Sequence, residues 1–333
     1  MYGRGPRYHN GLVHELAANR PEVIPEVDAD VDGLWIHSAG EVPRMGRLLA
    51  RIIAAQDRWA RPLGDFNHRW LNALFRPIRP IRDLLSGVWL GHPLHAAATD
   101  IPIGTLLLVV VLDLIGQPAP ADVALVATVL FMLAAAVTGA SDYADTDGTA
   151  RVRATTHSTL MVVALLLLLI SLGLRAGSPT DRTIPVALSI VGFLIVTAGA
   201  YIGGDVVYLF GNMVNRHAFR GAGTKWIRLE AGDLTDLATL PEATPAKAKA
   251  GINEIVLVRI ADTIFALHGV CAHAGGPLAQ GTVVDGCVQC PWHSSRFRLT
   301  DGHVRRGPAL YDQPTYEIRA ADRGGYEVRR AGS

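Results

Sequence analysis

The sequence predicts a membrane α-helical bundle of four transmembrane helices followed by a C-terminal all-β domain, an antiparallel β sandwich or barrel. Four long apolar stretches follow one another in the middle of the chain, and half of its 333 residues are hydrophobic. Towards the C-terminus, short strand-like segments alternate with Gly-containing turns. We predict three parts: a cytoplasmic N-terminal segment (1–90), the transmembrane bundle (91–215) and the β domain (225–333).

The charge and cysteine content exclude several classes of protein. The chain carries 31 Lys and Arg against 30 Asp and Glu, so it lacks the basic excess of a nucleic-acid-binding protein. Its 3 cysteines do not make a disulfide scaffold and suit a reducing compartment. The first 30 residues show neither the apolar region of a cleaved signal peptide nor a twin-arginine signal. We therefore expect no nucleic-acid partner and no cleaved signal.

The N-terminal segment changes character at about residue 44. Residues 1–43 contain several prolines and predict loops, whereas the stretch from 44 to 81 has apolar side chains at helical spacing. The apolar, aromatic and basic residues of this stretch include Leu48, Leu49, Ile52, Ile53, Trp59, Phe66, Trp70, Phe75, Arg61, Arg69, Arg76, Arg79 and Arg82. This mixture is typical of a basic amphipathic helix in the membrane interface. The alternative is a solvated helix that packs on a partner.

The four apolar stretches have the length needed to cross a bilayer. A transmembrane helix needs about 20 residues for about 30 Å of hydrocarbon, and none of the four contains Lys or Arg. They run approximately over 96–115, 123–140, 158–174 and 184–202. A soluble core does not accommodate four such runs in succession, so we predict four membrane spans.

The distribution of basic residues predicts the orientation. The segment before the first span is rich in Arg, and we place Arg151 and Arg153 in the loop between spans two and three. The other two connectors hold only Arg175 and Arg182. The segment after span four carries Arg216, Arg220, Lys225 and Arg228. Because basic loops remain on the cytoplasmic side, we expect a multi-pass inner-membrane protein with both termini in the cytoplasm.

Two Cys/His pairs in the β domain point to a metal centre. They are Cys271-Ala-His273 and Cys290-Pro-Trp-His293. Two thiolates can hold one iron of a [2Fe–2S] cluster and two neutral imidazoles the other. The same four residues could instead hold structural zinc, and Cys287 with Cys290 could form a redox dithiol. We interpret Cys287 as a small buried apolar residue.

The two pairs resemble the motif of the Rieske family, C-x-H followed after a spacer by C-x-x-H, and the resemblance covers about residues 225–333. It implies a Rieske-type [2Fe–2S] cluster in the β domain. Cys271 and Cys290 would ligate one iron, and His273 and His293 the other, with exposed imidazole edges as the electron port. The run 307–309 resembles the family's third cluster-covering loop.

Departures from one branch of that family bear on the redox potential. Members in cytochrome bc complexes carry a disulfide whose positions correspond here to Gly276 and Trp292, and a Tyr that corresponds to Phe297. Ser295 remains as a hydroxyl that could donate to a cluster sulfur. Fewer donors leave more negative charge on the reduced cluster, so we expect a low-to-intermediate potential, as in Rieske ferredoxins and oxygenases. Only 40 residues follow His293, so we expect no oxygenase iron domain.

The membrane part resembles an uncharacterised bacterial four-helix membrane-domain family. The matching features include Gly91-His92-Pro93-Leu94-His95 before span one, His157 at the entry to span three, and Gly203-Gly204-Asp205 after span four. This family implies little about function. Polar groups at a membrane boundary are often functional, so His92, His95 and His157 are candidates for binding haem b or a quinone head group.

Other interpretations of these polar residues remain open. The three histidines could cap helices, meet lipid phosphates or pair with Asp100 or Asp142. We expect His217 to be an interfacial linker residue and Asp113 to face the headgroups. We treat His268 and His303 as structural or exposed.

Together these patterns predict a membrane-anchored, Rieske-type iron–sulfur electron carrier. It would relay single electrons between a cytoplasmic redox protein, such as a dehydrogenase or hydrogenase subunit, and the membrane quinone pool, as part of a larger redox complex. One alternative is a structural or redox-sensing membrane subunit. Another is the ferredoxin partner of a membrane oxygenase, such as a lipid hydroxylase or desaturase.

Overall fold

A computed structural model describes residues 51–177, 180–218, 225–230, 236–322 and 324–331. The residues from Ile52 onwards belong to one compact unit. The predicted loop-rich segment 1–43, together with Leu48 and Leu49, lies outside the described residues. The division of the chain into three parts at 90 and at 215 to 225 stays a prediction.

Among the residues that the structure describes, two complete helices precede the bundle and form a platform beside it. Helix α1 spans Asp57–Phe75 and α2 spans Arg79–Ser86, and a single 3₁₀ turn, Val88–Leu90, follows. Gly64 on the buried face of α1 approaches α5 closely, because a Cβ there would lie 2.6 Å from Thr155 Oγ1. The opposite face exposes Phe66 and Trp70, as expected of an amphipathic helix.

Four long helices follow, and each is long and apolar enough to cross a membrane. They are α3 (Leu94–Leu114), α4 (Pro118–Tyr143), α5 (Gly148–Ala176) and α6 (Thr183–Gly204), the last continued by a π-helical turn, Asp205–Leu209. The prediction of a four-helix membrane bundle is confirmed.

The placement of Arg151 and Arg153 in a loop was wrong, because both lie in the first turns of α5. Arg151 Nη1 lies 2.8 Å from Asp65 Oδ1, and buried Arg153 lies 3.2 Å from Asp57. Both arginines therefore join α5 to the platform. Hydropathy marks only the apolar part of a helix, so polar turns that extend the helix beyond the hydrocarbon resemble a loop in the sequence.

The bundle consists of two helical hairpins. Helix α3 packs along α4 and α5 packs along α6, whereas the two hairpins contact each other over shorter stretches, α4 against α5 and α3 against α6. Consequently α3 and α5 occupy opposite corners. Leu106, Leu125 and Leu168 are fully buried in the bundle core, and the absence of a side chain at Gly192 lets α6 approach Leu168 closely.

A network of buried charges closes the bundle at the end far from the platform. Arg175 donates to Asp113 through two hydrogen bonds, of 2.9 and 2.5 Å, and to Asp122 at 2.9 Å. Arg182 also pairs with Asp122. Our expectation that Asp113 faces the headgroups was wrong. Its partner lies 62 residues away in the sequence, so the sequence offers no local sign of the pair.

The C-terminal part is all-β and antiparallel, as predicted. Six strands close a barrel in the order β1–β10–β9–β4–β3–β2. They are β1 (Ile227–Glu230), β2 (Ala246–Ala250), β3 (Asn253–Ile260), β4 (Thr263–His268), β9 (Thr315–Ala320) and β10 (Tyr326–Arg330). A second, four-stranded sheet contains β5 (Thr282–Val284), β6 (Cys287–Gln289), β7 (Arg296–Arg298) and β8 (Val304–Arg306).

The sequence of strand β3 is almost continuously hydrophobic because both faces of the strand are buried. Ile255 and Leu257 face the barrel interior, whereas Val256 and Val258 pack into the core beneath the second sheet. Successive side chains of a strand point to opposite faces, so a strand between two cores is apolar on both. This arrangement holds the second sheet and its loops firmly against the barrel.

Candidate metal centre

Two loops of the second core carry the Cys/His pairs, and backbone hydrogen bonds close each loop. In the first, Cys271 N donates to Gly276 O at 2.9 Å and Gly275 N donates to Cys271 O at 3.0 Å. Gly275 has a φ of +84°, which glycine adopts at little cost. In the second, Cys290 N donates to Ser295 O at 2.9 Å. Backbone hydrogen bonds thus hold both loops closed.

The two cysteines are buried, free thiols that contact each other. The thiol of Cys271 donates to Cys290, and this bond together with burial raises the pKa of Cys271. The same bond, with the backbone N–H groups of Trp292 and His293, lowers the pKa of Cys290 to about 7. The site therefore favours thiolate at Cys290, the form that binds metal.

The two histidines lie side by side, with ring centroids 4.9 Å apart and an interplanar angle of 84°. Burial, with a smaller effect of His293, lowers the pKa of His273 to about 3. Burial also lowers the pKa of His293. Both imidazoles are neutral, as metal ligands must be.

The donor arrangement fits a [2Fe–2S] group better than a single ion. The Nδ1 atom of His293 is buried and has no hydrogen-bond partner among the residues described, as expected of a nitrogen that faces a metal. Within the same residues, no three His, Cys, Asp or Glu side chains converge on one metal position. Structural zinc needs four such ligands, whereas each iron of a Rieske centre takes only two from the protein.

Close contact between the loops depends on Gly276. A Cβ at this position would lie 2.8 Å from Cys290 Sγ and 3.1 Å from the Trp292 ring. The close approach of the two loops therefore leaves no room for a larger residue at Gly276, beside the exposed Trp292.

Two further side chains hold the loops from behind. Buried Ser295 accepts a hydrogen bond from Ala309 N at 3.0 Å, which ties the second loop to the run 307–309. Buried Gln313 accepts from Ala272 N at 2.9 Å and donates to the His268 and Val270 carbonyls at 2.6 and 2.7 Å. Sequence reasoning missed Gln313, because a single Gln before a strand carries no motif.

Cys287 and Phe297 are parts of the core. Cys287 is buried at the start of β6, where burial raises the pKa of its thiol. Phe297 on β7 is completely buried. Cys287 thus matches its interpretation as a small buried residue.

The face that carries the ligand loops packs on the platform and on the segment that follows α6. Gly307 N donates to Asp83 Oδ2 at 3.3 Å, Val88 packs into the core under the loops, and Arg216 Nε lies 3.4 Å from His273 O. As a result the His273 residue is only 6% exposed and His293 is half-buried. The expectation of exposed imidazole edges was wrong for His273, because a sequence does not show which surfaces of two domains meet.

Buried polar pairs support the platform beneath this contact. Arg82 forms an ion pair with Asp145, and Ser86 and Ser141 hydroxyls are hydrogen-bonded at 3.0 Å. Burial raises the pKa of Asp145 to about 6, with Arg82 acting in the opposite direction. At pH 7 the pair is charged, and it joins α2 to the segment that follows α4.

The structure brings together two of the three membrane histidines. The rings of His95 on α3 and His157 on α5 have centroids 6.3 Å apart. His92 is exposed, and its Nδ1 lies 3.1 Å from Pro93 O. Asp100 is exposed and Asp142 is buried at the end of α4, where it accepts from Ser141 Oγ.

Among the described residues, three further histidines lie in the β domain or at its junction with the bundle. His217 is buried, with its ring centroid 4.5 Å from that of His268. His217 thus lies in the linker, as expected, and is buried against the β domain, whereas its place at the membrane interface stays a prediction. His268 is buried, and His303 lies at the surface beside Asp312.

Two family profiles match the chain. Residues 232–317 match "Rieske [2Fe-2S] domain", and residues 91–216 match "Predicted membrane protein (DUF2231)". Together they cover the β domain and the bundle.

Individual relatives are similar to the β domain. The ferredoxin subunit of anthranilate 1,2-dioxygenase from Burkholderia cepacia is 37% identical over 81 residues, which are 24% of this chain and 75% of that protein. Human apoptosis-inducing factor 3 is 29% identical over 73 residues, which are 22% of this chain and 12% of the relative.

Solved structures with a similar fold include the ferredoxin of carbazole 1,9a-dioxygenase from Nocardioides aromaticivorans IC177. It is 22% identical, with a TM-score of 0.27, and the match covers 33% of this chain and 99% of that one. The Sphingomonas yanoikuyae B1 ferredoxin is 17% identical, with a TM-score of 0.28 and coverage of 32% and 100%.

Proposed function

Since the chain belongs, through its C-terminal domain, to the Rieske [2Fe–2S] family and is a ferredoxin-type electron carrier with a membrane domain, we propose that it relays single electrons between a cytoplasmic oxidoreductase and the membrane quinone pool. The donor would be a soluble redox protein or a dehydrogenase or hydrogenase subunit. The carrier would act as a subunit of a larger redox complex.

The roles of the site residues follow from their chemistry. Cys271 and Cys290 would hold one iron, and His273 and His293 the other. A bound [2Fe–2S] group takes up and gives back one electron at a time. The protein keeps the imidazoles neutral, excludes water from the thiols and fixes both loops through Gln313 and Ser295. Ser295 is in addition a candidate donor to a cluster sulfur.

The observation that carries this proposal is the contact of the ligand-loop face with the platform and with the segment that follows α6. Asp83 and Val88 of the platform meet this face, and Arg216 lies beside His273. A carrier that served only soluble partners would gain nothing from covering this edge. An acceptor inside or beside the bundle, a quinone or a haem b near His95 and His157, fits the arrangement.

The charges at the two ends of the bundle support an inner-membrane location with both termini in the cytoplasm. On the platform side, Arg58, Arg61 and Arg69 are exposed. On the far side, Arg175 and Arg182 are paired with Asp113 and Asp122. The unpaired basic charge is therefore on the platform side, which the positive-inside rule assigns to the cytoplasm.

Electron transfer to quinone in liposomes tests the proposal. The full-length protein would be reconstituted with a ubiquinone and reduced by NADH through a soluble ferredoxin reductase, and the quinol formed would be measured. We expect His273→Ala and His293→Ala to abolish quinol formation. The surface variant His303→Ala should keep it. Wild-type rates in the two ligand variants would contradict the proposal.

A second candidate function is supported by the similarity to the anthranilate 1,2-dioxygenase ferredoxin subunit. The chain would then supply electrons to a membrane oxygenase. Co-purification of the full-length protein from its native membrane, followed by an assay for oxygen uptake that depends on the reduced carrier, separates the two functions. Oxygen uptake without quinol formation would favour the oxygenase partner.

A further inference from the structure

The membrane bundle contains a paired histidine arrangement that the electron-carrier chemistry of the β domain does not use. His95 lies on α3 and His157 on α5, and these helices occupy opposite corners of the bundle. Their rings nevertheless approach to 6.3 Å between centroids, with an interplanar angle of 79°. Both lie at the end of the bundle nearer the platform.

Each ring is held by the neighbouring helix of its own hairpin. His95 Nδ1 lies 2.9 Å from Ala135 O on α4, and His157 Nδ1 lies 2.8 Å from Gly199 O on α6. A carbonyl oxygen only accepts, so both Nδ1 atoms carry the proton and both Nε2 atoms present a lone pair. Histidines that bind metal commonly anchor their other nitrogen to a backbone carbonyl in this way.

The same construction occurs once in each hairpin. Four residues after each accepting carbonyl comes a glycine that faces the ring: Gly139 after Ala135, and Gly203 after Gly199. A Cβ at Gly139 would lie 2.9 Å from the His95 ring, and one at Gly203 would lie 2.9 Å from the His157 ring. The two hairpins therefore provide two equivalent histidines, each seated against a glycine.

The spacing of the rings suits one metal atom between them. The midpoint between the two ring centres lies about 3 Å from each of them. A metal atom at that point would be about 2 Å from a ring nitrogen that faces it, which is the length of a metal–nitrogen bond. Among the described parts of the chain, no third His, Cys, Asp or Glu side chain completes a metal site here. A bare ion would need further protein ligands, whereas the iron of a haem brings four nitrogens of its own and needs only two axial ligands.

We infer that His95 and His157 are the axial ligands of a haem b held between the α3–α4 and α5–α6 hairpins. The limited contact between the hairpins and the apolar side chains of the bundle suit a flat, largely apolar macrocycle, and bundles commonly build such sites from facing helices. The inference rests on the proposed relay, because a haem iron changes between its ferric and ferrous states by one electron.

Titration of the full-length protein with haemin in detergent tests this site. Wild type should bind one haem per chain and show the absorption bands of six-coordinate, low-spin iron, with a matching EPR signal. His95→Ala and His157→Ala should each lose these bands, whereas His92→Ala should keep them. His157→Met retains an axial ligand, so it should keep bound haem but raise its potential.

The outcomes distinguish a failure of the haem site from a failure of the proposed relay. The EPR signal of the [2Fe–2S] centre, measured on each variant, reports folding and the carrier function independently. The inference is overturned if wild type with an intact cluster signal shows no low-spin haem, or if His95→Ala binds haem as wild type does. Quinol formation that continues in such a haem-free wild type would leave the proposed relay standing.

Discussion

Single residues around the ligand loops determine how strongly the reduced cluster would be stabilised. Ser295 Oγ already accepts from Ala309 N, and Phe297 fills the core with a side chain that has no donor. The resemblance to the cytochrome bc branch places a Tyr hydroxyl at the Phe297 position. Substitution of Phe297 therefore tests most directly how one added hydroxyl changes the redox potential.

We predict that Phe297→Tyr raises the midpoint potential. One added hydrogen bond to the more negative, reduced state contributes about 1 kcal/mol, which is roughly 40 mV for a one-electron couple. A redox titration followed by EPR measures this shift. Tyr311→Phe, which removes a hydroxyl elsewhere in the β domain, is the control. An unchanged or lower potential in Phe297→Tyr would contradict the expectation that the missing hydroxyl lowers the potential of this centre.

Gln313 is a second residue whose role is specific. The Gln313→Leu substitution removes the hydrogen-bond partner of the Ala272 N–H and of two carbonyls in a buried loop. Each such loss costs about 1–3 kcal/mol, so the variant should release iron and unfold at lower temperature than wild type. Gln280→Leu, an exposed position, should behave as wild type in the same thermal and iron-release assays. Equal stability of both variants would show that Gln313 does not hold the loop.

The candidate ligands stand out in the sequence because their side chains lie in adjacent positions, such as Cys290 and His293, and the structure places the two pairs together. Gln313 could not, because its function depends on reaching across 41 residues to Ala272 N. The burial of His217 could not be predicted for the same reason, since its contact with His268 joins two distant segments.

At the scale of elements, the contact between α2 and the run 307–309 positions the β domain. A Cβ at Gly307 would lie 2.7 Å from Val88 Cγ2 and 2.9 Å from Asp83 Oδ1. We predict that Gly307→Ala separates the loop face from the platform and increases proteolysis and hydrogen exchange at the ligand loops.

Two controls accompany this variant. Gly173→Ala, where a Cβ meets no atom within 4 Å, should leave both assays unchanged. Val88→Ala combined with Gly307→Ala removes the nearer of the two close contacts, the one with Val88 Cγ2, and should restore protection in part. Wild-type protection in Gly307→Ala alone would mean that this contact does not hold the domain.

The buried charge network joins three of the four membrane helices. Asp113→Asn leaves Arg175 with Asp122 as its remaining charge partner. Breaking a buried pair costs about 3–5 kcal/mol, and because Asp122 remains we expect a loss on the order of 3 kcal/mol in unfolding experiments in detergent. Asp181→Asn, at an exposed position that caps α6, is the matched control. Equal unfolding of both variants would show that the pair adds no stability.

At the scale of the whole molecule, the two-part architecture could be predicted because each part obeys its own periodicity. The membrane helices are marked by uninterrupted apolar runs and the β domain by short alternating segments. The packing of one part on the other could not be predicted. It depends on shape at Gly307 and Val88 and on single polar contacts such as Asp83 to Gly307 N, none of which leaves a pattern in the chain.

The central claim is that the two Cys/His pairs hold a mixed-ligand diiron cluster in a membrane-embedded carrier. The most direct test is EPR of the reduced, full-length protein in detergent, combined with metal and sulfide analysis of the same sample. We predict a Rieske-type signal with two iron and two acid-labile sulfide per chain, and loss of the signal in Cys271→Ser and His293→Ala. Stoichiometric zinc without sulfide, or a signal unchanged by these substitutions, would contradict the account.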